Sequence, residues 1–309
     1  MVKKLAFVCL TAILVLTACG FPAAATPTAT TPTRQPAGLD RQVTADQPAA
    51  RIVSLAPSNT EILFALGAGS QLVGRDSFSD YPPAAVSVPD IGGGLGALNI
   101  EMIVSAKPDL VLVSPLTSPE QVVDLENVGL RVHAVPNPTT FDELYTNLRS
   151  VAALTGHETE GEALVAALKG RVDAISAQVA KAAEKPLVYY ELDATDPSAP
   201  YTSGPGTFVN LLIESAGGVN FGADLNGEWV QVSVEELLAR QPDVIVLGDY
   251  TYGGVTQEQV RARAGWDSLT AVQQNRIFTF DDNLVSRPGP RLVDGLEAMA
   301  KLLHPDLVR

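Results

Sequence analysis

From residue 51 onward, short apolar runs alternate with stretches whose apolar positions recur every three or four residues. Arg51–Leu55 reads as a short buried strand ended by Pro57. Ser58-Asn59-Thr60-Glu61 spells a capping box, with Ile62, Leu63 and Leu66 on one helical face and Gly67 placed to stop the helix. A strand followed at once by a helix predicts an α/β unit. The pattern then repeats. Asn99 to Val113 and Ser233 to Leu247 match at a constant offset of 134 residues. Each holds a polar N-cap, a first-turn Glu, a two-turn helix, Pro-Asp, and an unbroken β-branched and Leu run. An acid in the first turn complements the helix dipole, and an unbroken apolar run is a strand covered on both faces, as in parallel sheets. Thr207 to Gly217 loosely echoes Thr60 to Gly67, with Thr207 as cap.

Between the two copies, Leu164, Leu168, Val172, Ile175 and Val179 keep helical spacing, bracketed by Gly156 and Pro186. A helix of ~25 residues there would be ~37 Å long. The pattern predicts an α/β protein: two α/β lobes with mostly parallel sheets joined by a single long backbone α-helix. The segments are an N-terminal lobe at 51–157, the helix at 158–184 and a C-terminal lobe at 185–309. A strand is predicted over 276–280. A final amphipathic helix is predicted over 290–303, with Leu292, Leu296, Met299 and Leu303 in phase.

The first 50 residues follow other rules. Lys3 and Lys4 precede an apolar run, Leu5 to Leu16, too short to span ~30 Å of hydrocarbon. Leu16-Thr17-Ala18-Cys19 resembles a bacterial lipobox, in which cleavage precedes the cysteine and its thiol takes lipid. Residues 1–19 are therefore expected to be a signal peptide ending at lipidated Cys19. Residues 20–50, rich in Pro, Thr and Ala, show no hydrophobic period and are expected to form a disordered tether.

Composition narrows the function. The chain has 35 acidic and 21 basic residues, net charge −14, and is 46% hydrophobic. Such a chain lacks the basic stripe that nucleic acid or anionic lipid requires, and it is too apolar to be disordered throughout. Cys9 and Cys19 are the only cysteines, and His133, His157 and His304 lie far apart, so neither a disulfide framework nor a His-based metal site is expected. No G-x-S-x-G, H-E-x-x-H or Walker-type sequence occurs, so no enzyme is expected. The glycines of Gly92–Gly96 lack the strand–turn–helix context and the distal acid of a dinucleotide loop, and read as a flexible loop at a cleft edge.

Six stretches, in order, resemble the substrate-binding lipoproteins and periplasmic proteins of ABC importers for cobalamin, ferric siderophores and haem. They are RIVSLAPSNTEILFALG (51–67), DYPP (80–83), NIEMIVSAKPDLVL (99–112), YTSG (201–204), GWDSL (265–269) and RPGPRL (287–292). The likeness runs from Arg51 to about His304. It implies two lobes on one backbone helix, a ligand held between them, no resident cofactor, and a monomer outside the cytoplasm that docks on a permease dimer. It implies that Glu101 and Glu235, the acids aligned by the internal repeat, dock into arginine pockets of the permease, one per lobe, through orienting bidentate contacts.

For the ligand, the resemblance points to Phe78, Tyr201 and Trp229, flat rings suited to a macrocycle. Arg287 is expected to meet a carboxylate, propionate or phosphate, and Asp282 or Asn283 an amide. Cobalamin-binding members carry a Trp shortly before the Asn-x-Glu helix, whereas this chain has Gly92 to Leu98 there. A cobalamin-type corrinoid is the leading expectation; ferric siderophore and haem, or a surface receptor without a permease, remain open.

Overall fold

A computed structural model describes residues 47–94 and 96–308. The expected signal peptide, Cys19 and most of the expected tether lie outside the described residues. The first lobe comprises β1 (Ile52–Ser54), α1 (Pro57–Ala65), β2 (Leu72–Arg75), α2 (Ile100–Ser105), β3 (Leu110–Val113), α3 (Pro119–Asn127), β4 (Val132–Ala134) and α4 (Phe141–Thr155). Its sheet runs β2-β1-β3-β4, with every pairing parallel.

The connecting helix α5 (Glu158–Val179) has 22 residues, ~33 Å at 1.5 Å per residue. It stops short of the expected 184. Beyond Val179 no large apolar residue continues the buried face. Lys181 and Ala182 donate instead to carbonyls three residues back, which tightens and closes the last turn.

The second lobe holds β5 (Leu187–Glu191), β6 (Tyr201–Ser203), α6 (Phe208–Ser215), β7 (Val219–Asn220), β8 (Trp229–Gln231), α7 (Val234–Arg240), β9 (Val244–Leu247), α8 (Tyr250–Gly253), α9 (Gln257–Arg261), α10 (Thr270–Gln273), β10 (Ile277–Thr279) and α11 (Leu292–Leu303). Its parallel sheet runs β10-β9-β5-β7, while β6 and β8 form a separate antiparallel ribbon. Numbered within its own lobe, each sheet has the order second, first, third, fourth. The two lobes therefore share one topology, and the repeated segments lie in different sheets.

The repeat holds at the level of single atoms. Asn99 and Ser233 cap α2 and α7 by accepting from Met102 N and Glu236 N. Lys107 and Gln241, each just before the Pro-Asp, share the left-handed φ of 49°. The aspartates that follow hold the start of the first strand of each lobe: Asp109 accepts from Ala50 N and Arg51 N at 2.9 and 3.0 Å, and Asp243 from Leu187 N at 2.8 Å. β3 and β9 are buried along their whole length, as their unbroken apolar sequence requires.

One apolar cluster runs from Ile52 and Leu110 through Val165, Leu168 and Ile175 of α5 to Val188, Val244 and Leu296. The connecting helix thus packs into both lobes. Arg171 on α5 also pairs with Asp294 and Glu297 of α11 at 2.6 and 2.8 Å. One local expectation fails. Pro57 occupies the first turn of α1, so the cap moves to Ala56, which offers no side-chain bond, and Ser58 lies inside the helix. Glu61 is then free of any capping role. No helix among the described residues is long and apolar enough to cross a membrane.

Candidate functional site between the lobes

In parallel sheets the loops that leave the carboxyl ends of the strands gather at one edge, where ligands bind. Here β2 leads into Asp76–Tyr81, β5 into Leu192–Thr195, β9 into Asp249 and β10 into Asp282–Arg291. The loops of the two lobes meet. Arg287 pairs with Asp80 across the junction and lies 3.8 Å from Glu61. Arg291 donates from Nε and Nη2 to the two oxygens of Glu61 at 2.8 and 2.5 Å, and its guanidinium sits 3.9 Å from the centre of the Tyr81 ring. Burial pushes the Glu61 carboxyl up, and Arg291 and Arg287 pull it back. The hydrogen bond from Arg287 holds the Asp80 carboxyl below the usual aspartate range.

The residues expected to meet a ligand fall into two sets. Phe78, Tyr201 and Trp229 are exposed by 47, 39 and 40%. Ser203 stands opposite Trp229 and Tyr201 opposite Gln231 in the β6–β8 ribbon. Tyr201 and Trp229 therefore stand on one face as diagonal neighbours. Trp229 leans on Phe208 with ring centres 5.5 Å apart. Phe78 follows β2 in the first lobe, its ring filling the space above Gly94, where a Cβ would strike it. Gly92, Gly93, Gly94 and Gly96 all hold positive φ, so this loop depends on glycine for its path.

Asp282 and Arg287 are engaged by protein groups instead. Asp282 is 4% exposed; it accepts from the Tyr190 hydroxyl at 2.6 Å and from the Ser286 hydroxyl, and burial raises its carboxyl. Arg287 is 7% exposed and committed to Asp80 and Glu61. Asn283 is more open, accepting from the Tyr252 hydroxyl at 2.7 Å.

Sequence reasoning missed Glu61, Asp80 and Arg291, and also Tyr81 and Tyr252, which are 42 and 64% exposed. DYPP and RPGPR carry three of these five; nothing in their spacing shows that they pair.

Glu101 and Glu235 are exposed in the first turns of α2 and α7. The histidines are dispersed: His133 meets Ser150, His157 the Thr155 carbonyl, and His304 the Gly217 carbonyl. Among the described residues no three of His, Cys, Asp or Glu come together in a way that would hold a metal ion.

Comparison with known proteins agrees with this arrangement. The family model for periplasmic binding proteins matches residues 52–284. An uncharacterized ABC transporter substrate-binding lipoprotein of Bacillus subtilis (strain 168), YvrC, is 34% identical over 272 residues, 86% of this chain and 84% of its own. A cobalamin-binding protein of Halobacterium salinarum is 30% identical over 283 residues, 88% of this chain and 74% of its own. Among solved structures, the periplasmic heme-binding protein RhuT of Roseiflexus sp. RS-1 superposes with a TM-score of 0.74 at 30% identity, covering 83% of this chain and 98% of that one. With the duplicated α/β lobes, the connecting helix and these matches together, the chain belongs to the periplasmic binding protein family.

Proposed function

We propose that this protein is the extracytoplasmic, lipid-anchored substrate-binding component of an ABC importer, and that it captures a cobalamin-type corrinoid between its lobes and hands it unchanged to the permease. The observation that carries the ligand reading is the pair Tyr201–Trp229, two large rings left open on one face of a ribbon at the cleft, with Phe78 in the opposite lobe. Rings so exposed cost solvation and return little to the fold, and a flat macrocycle covers both faces at small entropic cost. The similarity to a cobalamin-binding protein supports the same ligand. Haem is the second reading, favoured by the glycine loop 92–96 in place of a tryptophan and by the likeness to a heme-binding structure.

Delivery to a permease rests on Glu101 and Glu235: one exposed carboxylate per lobe, related by the internal repeat, suits a two-fold symmetric partner with arginine pockets. Anchoring rests on Cys19, and replacing it with Ala should release the protein from the membrane fraction. The deciding experiment for the ligand is a visible-absorption titration of residues 50–309 with cyanocobalamin, hemin and ferrichrome, all coloured. The reading expects saturable cyanocobalamin binding below ~100 μM, about −5.5 kcal/mol. Hemin binding alone would move the assignment to the second reading.

A further inference from the structure

We propose that Asp76 is a positioning residue for the ligand: its buried carboxyl holds the Phe78 ring with one side against the glycine loop and the other open to the cleft. This rests on the corrinoid reading above, which places the macrocycle on Phe78, and names the group that sets that ring.

Asp76 is the first residue after β2, and its N–H donates to Ser54 O at the end of β1 at 2.9 Å. The residue is fully buried. Its Oδ1 accepts from Phe78 N at 2.8 Å, an Asx turn, and its Oδ2 accepts from the Ser79 hydroxyl. A turn of this kind is ordinarily a surface feature, its carboxyl completing its hydrogen bonds with water. Here hydroxyls of the fold stand in for the water. Ser79 Oγ lies 2.8 Å from Thr60 Oγ1 of α1, which lies 2.8 Å from Ser54 Oγ. Ser54, Thr60 and Ser79 are themselves fully buried. The turn that carries Phe78 is thus fastened to the first strand and the first helix of its lobe.

Burial pushes the Asp76 carboxyl up, and the hydrogen bonds from Ser79 and Phe78 N pull it back. The adjacent cation, Arg75, acts on it only through space, because it donates to Asp76 O at 2.9 Å and Ala85 O at 3.1 Å and pairs with Asp90 at 3.6 Å. A buried carboxyl without an ion pair is expensive to keep, and what this one holds in place is Phe78.

The ring is fixed from a second direction. A Cβ on Gly94 would strike the Phe78 ring and come within 3.5 Å of Asp76 Oδ1, so loop, carboxyl and ring pack at one point. Phe78 nevertheless stays 47% exposed, with its open side away from Gly94. A ring held in this way meets a flat ligand without the entropic cost of ordering its own loop, which is how preorganisation adds affinity. Thr60 also directly precedes Glu61, which Arg291 grips from the second lobe. One helix, α1, therefore braces both the ligand ring and the pair that joins the lobes.

The test is a double-mutant cycle, titrating the wild type, Asp76→Ala, Phe78→Ala and Asp76→Ala/Phe78→Ala with cyanocobalamin. The account expects each single variant to bind about 10-fold more weakly than the wild type. The double variant should stay within about 2-fold of Phe78→Ala, because Asp76 acts through the ring. Asp76→Asn, which keeps an acceptor for Phe78 N, should stay within about 3-fold of the wild type. Ser79→Ala removes the hydroxyl that braces the same carboxyl and is the milder second variant. It should weaken cyanocobalamin about 3-fold in the presence of Phe78 and leave Phe78→Ala unchanged. Wild-type affinity in Asp76→Ala or in Ser79→Ala overturns the proposal, and so does a double variant weakened about 100-fold, the additive result of two independent roles. In each of these cases the corrinoid reading stands. Wild-type affinity in Phe78→Ala removes Phe78 from the ligand site and this inference with it. No cyanocobalamin binding by the wild type overturns the corrinoid reading itself.

Discussion

Arg291 grips both oxygens of Glu61 across 230 residues of chain, tying the segment that opens the last helix to the first helix of the opposite lobe. Their side chains are 14 and 2% exposed. Removing one partner of a buried pair strands the other charge, and typically costs ~3–5 kcal/mol, more than the pair itself contributes. Glu61→Ala should therefore lower the urea midpoint substantially, while Glu61→Ala/Arg291→Ala should be less destabilised than the sum of the two single changes. Strict additivity would show that the contact is not an energetic unit.

A second interlobe pair sets a behaviour in acid. Arg287 holds the Asp80 carboxyl below its usual range, so the stability it contributes is present above the unfolded value of ~3.9 and is lost as pH falls through the folded one. Thermal unfolding followed from neutral pH into that acid range should show a loss that Asp80→Asn lacks. Identical profiles would remove Asp80–Arg287 from the account.

The aromatic ribbon predicts a split between binding and folding. Tyr201→Ala and Trp229→Ala should each weaken the ligand about 10-fold, as large interface aromatics do. Tyr201→Ala should leave stability within about 0.5 kcal/mol, as at an ordinary surface position. Trp229→Ala should cost about 1 kcal/mol more through its contact with Phe208. Calorimetric titration beside thermal melts reads both, and wild-type affinity in the two variants would contradict the ligand placement.

Glu101→Ala/Glu235→Ala tests delivery. Both residues are exposed, so the double variant should melt and bind like the wild type while uptake in cells drops. Undiminished uptake removes these residues from docking.

The duplicated left-handed residues allow an asymmetric prediction. A non-glycine residue at this φ is strained by roughly 1 kcal/mol, which glycine relieves. Lys107→Gly should therefore stabilise the protein slightly. Gln241→Gly should not, because Gln241 also accepts from Thr270 N and Oγ1 and donates to Leu238 O at 2.9–3.0 Å. Denaturant melts of the two variants suffice, and equal gains would contradict the assigned role of Gln241.

The repeat was legible because its determinants are local. A capping residue, a first-turn acid and an unbroken apolar strand are all written within fifteen consecutive positions, and the offset of 134 carries them into the second lobe. The connecting helix was legible in its periodicity and less so at its end, where a tightened turn replaces helix without any Gly or Pro to announce it. Glu61 was misread because Ser-x-x-Glu looks the same whether or not the preceding proline has already begun the helix. The pairs Glu61–Arg291 and Asp80–Arg287 could not be read at all, since contacts between residues more than 200 positions apart leave no spacing to detect. Asp282 followed a strand as expected, yet the Tyr190 hydroxyl from the neighbouring strand takes it inward. The open aromatics Phe78, Tyr201 and Trp229 came from the family resemblance; their exposure, which gives them meaning, is a property of the fold alone.

The central claim is that the ligand lies between the lobes, and a crystal structure of the protein with cyanocobalamin addresses it most directly. The account predicts the macrocycle between Phe78 on one side and the Tyr201–Trp229 ribbon on the other. A macrocycle seated elsewhere, for example in the recess of about 660 Å³ lined by Lys181, Arg276 and His304, would contradict it.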